Sequence, residues 1–406
     1  MCKRCSLHGH LSRLCFLALI AAVLGGHWTD DLLLPPDLLP YAIRANPELK
    51  QRCLEDKKCP VKKDFLNSAK CWGYETDCDF ADSYSADKLQ CPGSSNWPNA
   101  RTKQDQMTLF NRQTDFLHVQ ERLFDMKPIC SSTSEDGSSL VCSDHLRYCR
   151  AKNIYFDFKS LNAATSTRYR DNVIQPGQVG GRCDQFDSKL LKERSDHMSY
   201  LQSWAHELQY FESHKSFRVS NQNCDVIFER PTVIIKLDAA VNMYHHFCDF
   251  INLYASQHIN GSFSTDIDIV WWDTFSGGFV DSMFGATWKA FTNRRPVELI
   301  SLDGKKVCFK DAMLPLLARQ RLGLYYNMPV VDGCHGSGLF HAFCHHLLHR
   351  LGVKQRGPLK GKVRITLLSR GTQYRRILNE NKVSACLPLA LFSVFANELH
   401  VYSLSS

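Results

Sequence analysis

From Cys224 onward the chain alternates between short apolar runs and amphipathic stretches. Runs rich in Val, Ile and aromatic residues predict buried strands, whereas apolar residues at helical spacing predict helices. The predicted strands are residues 226–228, 232–237, 267–272, 297–300 and 307–309, and the predicted helices are residues 243–254 and 338–351. Strands that alternate with helices predict an α/β fold built on a parallel sheet.

A second unit of the same kind is predicted after a linker rich in Pro, Gly and Lys at residues 355–362. The run at 363–369 predicts a strand, and the charged segment 370–379 predicts a turn and the start of a helix. Arg370 directly follows the strand, and Arg375 lies at the predicted helix start. Guanidinium groups at the carboxyl edge of a sheet suit nucleotide phosphates, so both are candidate phosphate ligands. The alternative is that they are solvated charges on a helix face.

The first 26 residues predict a secretory signal peptide, with the mature chain starting near His27. Lys3, Arg4 and Arg13 precede an apolar run at residues 14–24. That run is too short to span a bilayer, which makes a signal anchor the weaker alternative. No other segment reaches spanning length, so we expect no stable membrane span.

The cysteine content indicates an oxidising compartment. Of 18 cysteines, 15 lie after the predicted signal peptide, and eight of these fall within residues 27–149. Such a density behind a signal peptide predicts disulfides, and an odd number leaves at least one thiol unpaired. We therefore expect a Cys-rich N-terminal region at residues 27–223, whose pairing the sequence leaves open.

Composition and charge exclude some function classes. The 406 residues are enough for two domains, and 44% hydrophobic with 22% charged residues is ordinary for a globular protein. The net charge of +8 falls to +5 without the first 26 residues, which hold three basic residues and no acidic ones. No basic run of nucleic-acid type is present, which argues against a nucleic-acid partner.

The pattern with the clearest chemistry lies at the start of the predicted helix 243–254. Asn242, His245, Phe247 and Asp249 form an Asn-x-x-His-x-Phe-x-Asp pattern. An imidazole and a carboxylate four residues apart share one face of a helix, where they can orient a ligand or pass a proton. His245 and Asp249 are therefore candidate catalytic residues, and Asn242 is a candidate substrate ligand or turn residue. The alternative is a core histidine beside a helix-start aspartate.

This pattern resembles the first signature of a glycosyltransferase family. Its members include plant xylan-decorating transferases, the O-mannosyl-glycan N-acetylglucosamine transferases and the EGF domain-specific O-linked N-acetylglucosamine transferases. The similarity to the last group is close and runs from about Arg52 to Asn381. A second family signature, Ser-Arg-x-x-x-x-Arg-x-x-x-Asn, is matched by Ser369, Arg370, Arg375 and Asn379.

The resemblance implies a GT-B-like fold of two facing Rossmann-like domains. Residues 224–354 correspond to the first, acceptor-side domain, and residues 355–381 correspond to the start of the nucleotide-binding domain. The implied reaction is an inverting transfer of one N-acetylglucosamine from UDP-N-acetylglucosamine to Ser or Thr hydroxyls of folded EGF-like domains, such as those of Notch receptors. The implied location is the lumen of the endoplasmic reticulum.

The resemblance also implies roles for individual residues. His245 or Asp249 would be the base that deprotonates the acceptor hydroxyl, or its orienting partner. Arg370 and Arg375 would bind the diphosphate of the donor, with Asn379 beside them.

The chain departs from the family pattern after Asn381. Residues 382–406 form a divergent tail, in which the remaining nucleotide-binding sheet, a Gly-rich turn and a lumenal retrieval signal are not found. We therefore expect the second domain to be largely missing, transfer to be impaired, and the protein to be secreted or degraded. An alternative function is a non-catalytic lumenal module that binds EGF repeats.

No metal cofactor is firmly implied. A related transferase carries an Asp-x-Asp, suited to a divalent ion such as Mn²⁺, where this chain has Asn293, Arg294 and Arg295. Arginine cannot ligate a metal. We interpret the nearby Asp266 and Asp268 as a structural pair at a strand edge.

His341, His345 and His349 recur at helical spacing and raise a third hypothesis, a secreted hydrolase with a zinc site. They lack the Glu of a His-Glu-x-x-His arrangement, so we interpret the segment as an interfacial helix. Separately, Asn260 begins the only N-glycosylation sequon and, if glycosylated, is expected in a surface loop.

Overall fold

The computed structural model describes residues 26–94, 98–167, 170–195, 199–238, 242–273, 285–321, 323–324, 331–355, 377–379 and 381–382. Described residues up to Gly352 belong to one compact unit, and those from Val353 onward belong to a second. The strands are β1 (Lys127–Ser131), β2 (Ser139–Cys142), β3 (Cys149–Asp157), β4 (Val179–Gly181), β5 (Gln185–Phe186), β6 (Phe211–Ser213), β7 (Val226–Ile235), β8 (Asp268–Trp271), β9 (Val297–Glu298) and β10 (Lys306–Leu314). The α-helices are α1 (Leu39–Ala45), α2 (Pro47–Glu55), α3 (Lys62–Asn67), α4 (Lys103–Thr114), α5 (Phe116–Phe124), α6 (Ser188–Arg194), α7 (Ala205–Leu208), α8 (Met243–Asn260) and α9 (Gly338–Arg350).

These strands form one mixed sheet in the described residues. Its main order is β5-β1-β2-β3-β10-β7-β8-β9, with β4 paired to β3 and β6 to β4. The four adjacent strands β10, β7, β8 and β9 run parallel to one another, as predicted. β3 joins β10 in the antiparallel sense, so strands of the Cys-rich region extend the parallel sheet. The α/β class is confirmed, while the two-domain GT-B arrangement stays a prediction.

The runs 226–228 and 232–237 are predicted as separate strands, but the single strand β7 contains residues 226–228 and 232–235, and residues 236 and 237 lie beyond its end. β7 lies between β10 and β8, and Pro231 cannot donate to the ladder of such a central strand. The ladder accommodates it by an irregularity, because the register with β10 shifts between Phe309 and Asp311. Pairing with the neighbouring strand therefore makes one strand of the two apolar runs that Pro231 separates in the sequence.

The sheet is buried on both faces, as a parallel sheet in an α/β protein requires. Alternate residues of β7 enter different apolar clusters, with Val233 and Ile235 on one side and Ile234 on the other. Phe250 and Leu253 of α8 lie in the cluster of Val233 and Ile235. Helix α8 therefore packs on that face of the sheet, which places its first turn near the carboxyl end of β7.

Disulfides are confirmed in the described residues. Six pairs are present: Cys53–Cys59, Cys71–Cys78, Cys91–Cys334, Cys130–Cys183, Cys142–Cys149 and Cys224–Cys308. Cys248 is a buried free thiol and Cys344 an exposed one, while Cys386 lies outside the described residues. Cys91–Cys334 ties the Cys-rich region to the segment that leads into α9, which helps to hold residues on both sides of the predicted boundary at 223 in one unit.

Several predicted features lie outside the described residues: residues 1–25 of the signal peptide, the strand at 363–369, Arg370, Arg375 and residues 383–406 of the tail. Among the helices that are described, none combines the length and apolarity needed to cross a membrane.

Candidate functional site

Asn242 is the N-cap of helix α8. Its side-chain carbonyl accepts a hydrogen bond from the backbone N–H of Tyr244 at 3.1 Å. Capping satisfies one of the N–H groups that the first turn of a helix leaves without an intrahelical partner. Of the two roles predicted for Asn242, the structure shows the one that shapes the turn.

His245 lies on the first turn of α8 and contacts Asp238, a residue just beyond the end of β7. The distance from Nδ1 of His245 to Oδ2 of Asp238 is 2.5 Å. The Asp238 side chain is 1% exposed, whereas the His245 side chain is 24% exposed. The imidazole therefore contacts a buried carboxylate while part of its own side chain remains exposed.

The same carboxylate pairs with Arg319, which follows β10. The Arg319 guanidinium donates from Nε to Oδ1 of Asp238 at 2.5 Å. Since β7 and β10 are parallel neighbours, the residues beyond their carboxyl ends meet at one edge of the sheet. The fold thus brings His245, Asp238 and Arg319 together from three segments of the chain.

Asp249, one turn after His245, supports the end of β7. Its buried carboxylate accepts from the backbone N–H of Asp238, with distances of 3.0 and 3.3 Å to its two oxygens. The predicted pair His245 and Asp249 is therefore linked through Asp238, and the carboxylate that faces the imidazole is that of Asp238. The catalytic roles assigned to His245 and Asp249 stay predictions.

Sequence reasoning missed Asp238 and Arg319. A signal for Asp238 was present, because a carboxylate that directly follows a buried strand lies at the edge where α/β proteins place their chemistry. Arg319 follows the buried end of β10 in the same way, but one charged residue after an apolar run is a weak signal. Only the parallel pairing of β7 with β10 brings the two residues together.

Lys236 anchors the end of β7 from within the core. Its ammonium lies 2.6 Å from Oε2 of Glu207 and donates to the carbonyls of Tyr200 and Ser203 at 2.9 and 3.0 Å. Burial lowers the pKa of Lys236 and raises the pKa of Glu207, while their mutual attraction opposes both shifts. Two carbonyl acceptors and a carboxylate at short range fit a charged ammonium, so this is a buried ion pair that holds the strand end two residues before Asp238.

The free thiol of Cys248 is excluded as a nucleophile at neutral pH. It is buried on α8, and its Sγ lies 3.0 Å from the carbonyl of Tyr244. Burial, together with the negative charges of Asp249 and Asp238, raises the pKa of Cys248 to about 12. A thiol with this pKa stays protonated and cannot attack a substrate.

The donor side of the predicted site is described only at Asn379. This residue is exposed, and its carbonyl accepts from the backbone N–H of Lys382 at 2.9 Å. It belongs to the second unit, whereas His245 belongs to the first. The predicted phosphate ligands Arg370 and Arg375 lie outside the described residues.

The carboxylates considered as metal ligands are engaged with arginines. Asp266 Oδ1 lies 3.4 Å from Nε of Arg230 and 3.3 Å from Nε of Arg294. Arg294 also lies 3.7 Å from Asp268. Where the related transferase has a metal-binding Asp-x-Asp, this chain thus has Arg294, whose charge neutralises the nearby carboxylates of Asp266 and Asp268.

Within the described ranges, one group of side chains meets the spacing of a metal site: Cys71, Glu75 and Cys78. The two cysteines form a disulfide, which removes both thiolates from the ligand set. This group therefore does not fit a metal.

The His-rich helix α9 contacts the N-terminal region. Nδ1 of His341 lies 2.9 Å from the hydroxyl of Tyr84, and Nδ1 of His345 lies 3.1 Å from Oδ2 of Asp37. These contacts agree with the interfacial helix interpreted from the sequence.

The predicted glycosylation site, Asn260, is the last residue of α8, and Gly261 ends the helix with a positive φ of 69°. Its Oδ1 lies 3.4 Å from the Tyr148 hydroxyl. The sequon therefore begins at a helix terminus and not within a loop.

Comparisons with known proteins identify close relatives. The chain is 43% identical over 367 residues to a Bos taurus protein named "EGF domain-specific O-linked N-acetylglucosamine transferase", an alignment that covers 90% of this chain and 68% of the relative. The protein of the same name from Gallus gallus is 45% identical over 361 residues, covering 86% and 66%, and that from Drosophila melanogaster is 42% identical over 360 residues, covering 87% and 67%. The chain thus spans about two thirds of the length of these relatives. No protein-family profile matches it.

Proposed function

The chain belongs to the EGF domain-specific O-linked N-acetylglucosamine transferases, an enzyme family, and we propose that it transfers a single N-acetylglucosamine to a Ser or Thr hydroxyl of a folded EGF-like domain. The names of the relatives supply the sugar and the type of acceptor. UDP-N-acetylglucosamine as donor and Notch-type repeats as acceptors complete the proposal.

The contact between His245 and Asp238 is the observation that carries this proposal. An acceptor hydroxyl attacks the anomeric carbon of a sugar effectively only if a base removes its proton. The His245 imidazole is partly exposed and is held by a buried carboxylate at the carboxyl edge of the sheet. It can therefore face a substrate while its orientation is maintained from the core.

We propose a single inverting displacement. The hydroxyl oxygen forms a bond to the anomeric carbon from the face opposite to UDP, and the bond from that carbon to the phosphate oxygen breaks. The hydroxyl proton goes to the imidazole, and UDP leaves with the electron pair. This route requires a base but no protein nucleophile, which is compatible with the protonated thiol of Cys248.

The donor side of the proposal rests on the second sequence signature. Cationic Arg370 and Arg375 would stabilise the negative charge that develops on the departing diphosphate, with Asn379 next to them. No divalent cation enters the proposal, because Asp266 and Asp268 already pair with arginines. A lumenal or secreted location is proposed from the six disulfides, which need an oxidising compartment.

A non-catalytic module that binds EGF repeats is the second candidate. It is favoured by the departure from the family pattern after Asn381, where further donor-binding residues are expected.

The test is incorporation of radiolabelled N-acetylglucosamine from its UDP ester into a purified, folded EGF repeat. We expect transfer to the folded repeat, with the same repeat in reduced, unfolded form as a matched acceptor control and UDP-glucose as a donor control. A longer relative, assayed in parallel, sets the reference rate. Binding of the repeat without transfer would favour the non-catalytic module, and neither binding nor transfer would refute both candidates.

A further inference from the structure

We propose that Asp238 is the positioning residue of His245, holding the imidazole as the tautomer with its proton on Nδ1, so that Nε2 is the atom that accepts the proton of the acceptor hydroxyl. Arg319 and Asp249 in turn hold Asp238 in place. The role in catalysis rests on the proposed function, whereas the tautomer is a property of the folded protein and is tested without substrate.

The proton is assigned to Nδ1 by the contacts of Asp238. Oδ1 of Asp238 accepts a hydrogen bond from the Arg319 guanidinium at 2.5 Å, the contact that a carboxylate makes with a guanidinium. An ionised carboxylate can only accept hydrogen bonds, so Oδ2, 2.5 Å from Nδ1 of His245, requires a donor there. A neutral imidazole that donates from Nδ1 has its basic lone pair on Nε2.

The position of Asp238 is determined from two further directions. Asp249 accepts from its backbone N–H, and Lys236, two residues earlier, is bound to Glu207 inside the core. The Asp238 side chain is 1% exposed, so it acts through the imidazole and not by touching substrate. Its hydrogen bond to His245 is also protected from competition with water.

The charged and titratable groups of the surrounding elements agree with this assignment. Asp238 contacts the His245 imidazole, and Arg319 contacts Asp238. Cys248 and Asp249 lie further along α8, and Asp249 accepts from the backbone N–H of Asp238. Cys248 is protonated at neutral pH and adds no charge. The Arg319 guanidinium contacts Oδ1 of Asp238 through Nε, whereas Nδ1 of His245 contacts Oδ2.

The principal test is Asp238→Asn, followed by nitrogen-15 NMR of protein labelled at its 17 histidines. Subtracting the spectrum of His245→Gln assigns the His245 ring nitrogens. We expect a protonated Nδ1 and a lone pair on Nε2 in the native chain. Because the asparagine amide can donate to Nδ1, we expect Asp238→Asn to move the proton to Nε2. The native chain with its proton on Nε2 would overturn the inference.

In the transfer assay, Asp238→Asn is expected to lower kcat by about 10²–10⁴-fold with little change in KM, because the wrong tautomer presents no base to a substrate that still binds. Asp238→Glu keeps a carboxylate and should recover part of the rate. A residue that only stabilises the fold would instead lower the melting temperature and the amount of active protein, without moving the ring proton.

Arg319→Met is the second variant and covers the case in which Asp238→Asn does not fold. Without the guanidinium the Asp238 carboxylate remains, so we expect the Nδ1–H tautomer to persist but the ring signals to broaden as the imidazole gains freedom. Arg319→Lys should restore sharp signals. Unchanged signals in Arg319→Met would overturn the role given to Arg319.

The two proposals fail in distinguishable ways. If the native tautomer is as stated but no transfer is found, the proposed function is wrong and the positioning contact stands. If transfer occurs and Asp238→Asn retains the native rate, the positioning role is wrong and the transferase function stands.

Discussion

Replacing His245 with alanine is expected to lower the transfer of N-acetylglucosamine to a folded EGF repeat by about 10²–10⁴-fold, the usual contribution of a general base. The change removes the imidazole that faces Asp238, so the acceptor hydroxyl would have to lose its proton to water. Substrate contacts elsewhere are unaffected, so kcat should fall more than KM rises. Initial rates with purified protein, a folded repeat and UDP-N-acetylglucosamine measure the effect.

The fold should tolerate this change, because the His245 side chain is 24% exposed and Asp238 keeps its pair with Arg319. His245→Asn is the matched variant, since its amide can still donate to Asp238 but offers no base. His349→Ala, on the exposed part of α9, is the control for loss of a histidine elsewhere. Near-normal turnover by His245→Ala would show that the imidazole is structural. The equivalent change in a longer relative should give the same result.

Acidification from pH 7 to pH 5 is expected to lower the free energy of unfolding by at least about 3 kcal/mol. The cause is a set of three buried imidazoles, those of His118, His258 and His346. Burial lowers the pKa of His118 and of His258 to about 3, and it lowers the pKa of His346 well below its usual value. In the unfolded chain each would titrate near its ordinary pKa of 6.5.

The sign follows from proton uptake. Between the folded and unfolded pKa values the unfolded chain binds a proton that the folded protein excludes, so stability is fully present above pH 6.5 and is lost as the pH falls. His118 and His258 each contribute a loss of about 2 kcal/mol at pH 5, and His346 adds to this loss in the same direction. Asp115 acts in the opposite sense, because burial raises its pKa to about 6. The folded protein takes up that proton first, which recovers about 1 kcal/mol.

A substitution at His258 tests this pH dependence most directly. Its ring packs edge-on against Trp72, Tyr254 and Phe263, with centroid separations of 4.8, 4.8 and 4.9 Å. A phenylalanine suits these aromatic contacts and cannot be protonated, so His258→Phe should reduce the loss between pH 7 and pH 5 by about 2 kcal/mol.

Urea unfolding at the two pH values measures the effect, and His335→Gln, at an exposed position, is the control. An identical pH dependence in the native chain and in His258→Phe would contradict the assignment.

Local features of this protein could be predicted from the sequence. The order of strands and helices after Cys224 follows from hydrophobic spacing, because burial of one face imposes a period of two on a strand and of 3.6 on a helix. The importance of residues 242–249 was also visible, since an imidazole and a carboxylate at helical spacing form a compact chemical pattern. The presence of disulfides followed from the cysteine count and the predicted signal peptide.

The pairing of these features could not be predicted. The sequence suggested Asp249 as the partner of His245, four residues along the helix, whereas the structure pairs the imidazole with Asp238. Likewise, the runs on either side of Pro231 looked like two strands, but hydrogen bonds to β8 and β10 make them one. In both cases the deciding contacts come from other segments of the chain.

The sequence by itself therefore determined the α/β class, the position of the histidine and the need for cross-links, because each depends on residue type and local spacing. Only the tertiary structure decided that strands of the Cys-rich region extend the parallel sheet, which cysteines pair, and that Asp238 and Arg319 meet His245. The physical reason is that strand pairing and buried ion pairs join residues far apart in the chain. The energies of these contacts depend on burial and geometry, which a local sequence pattern does not contain.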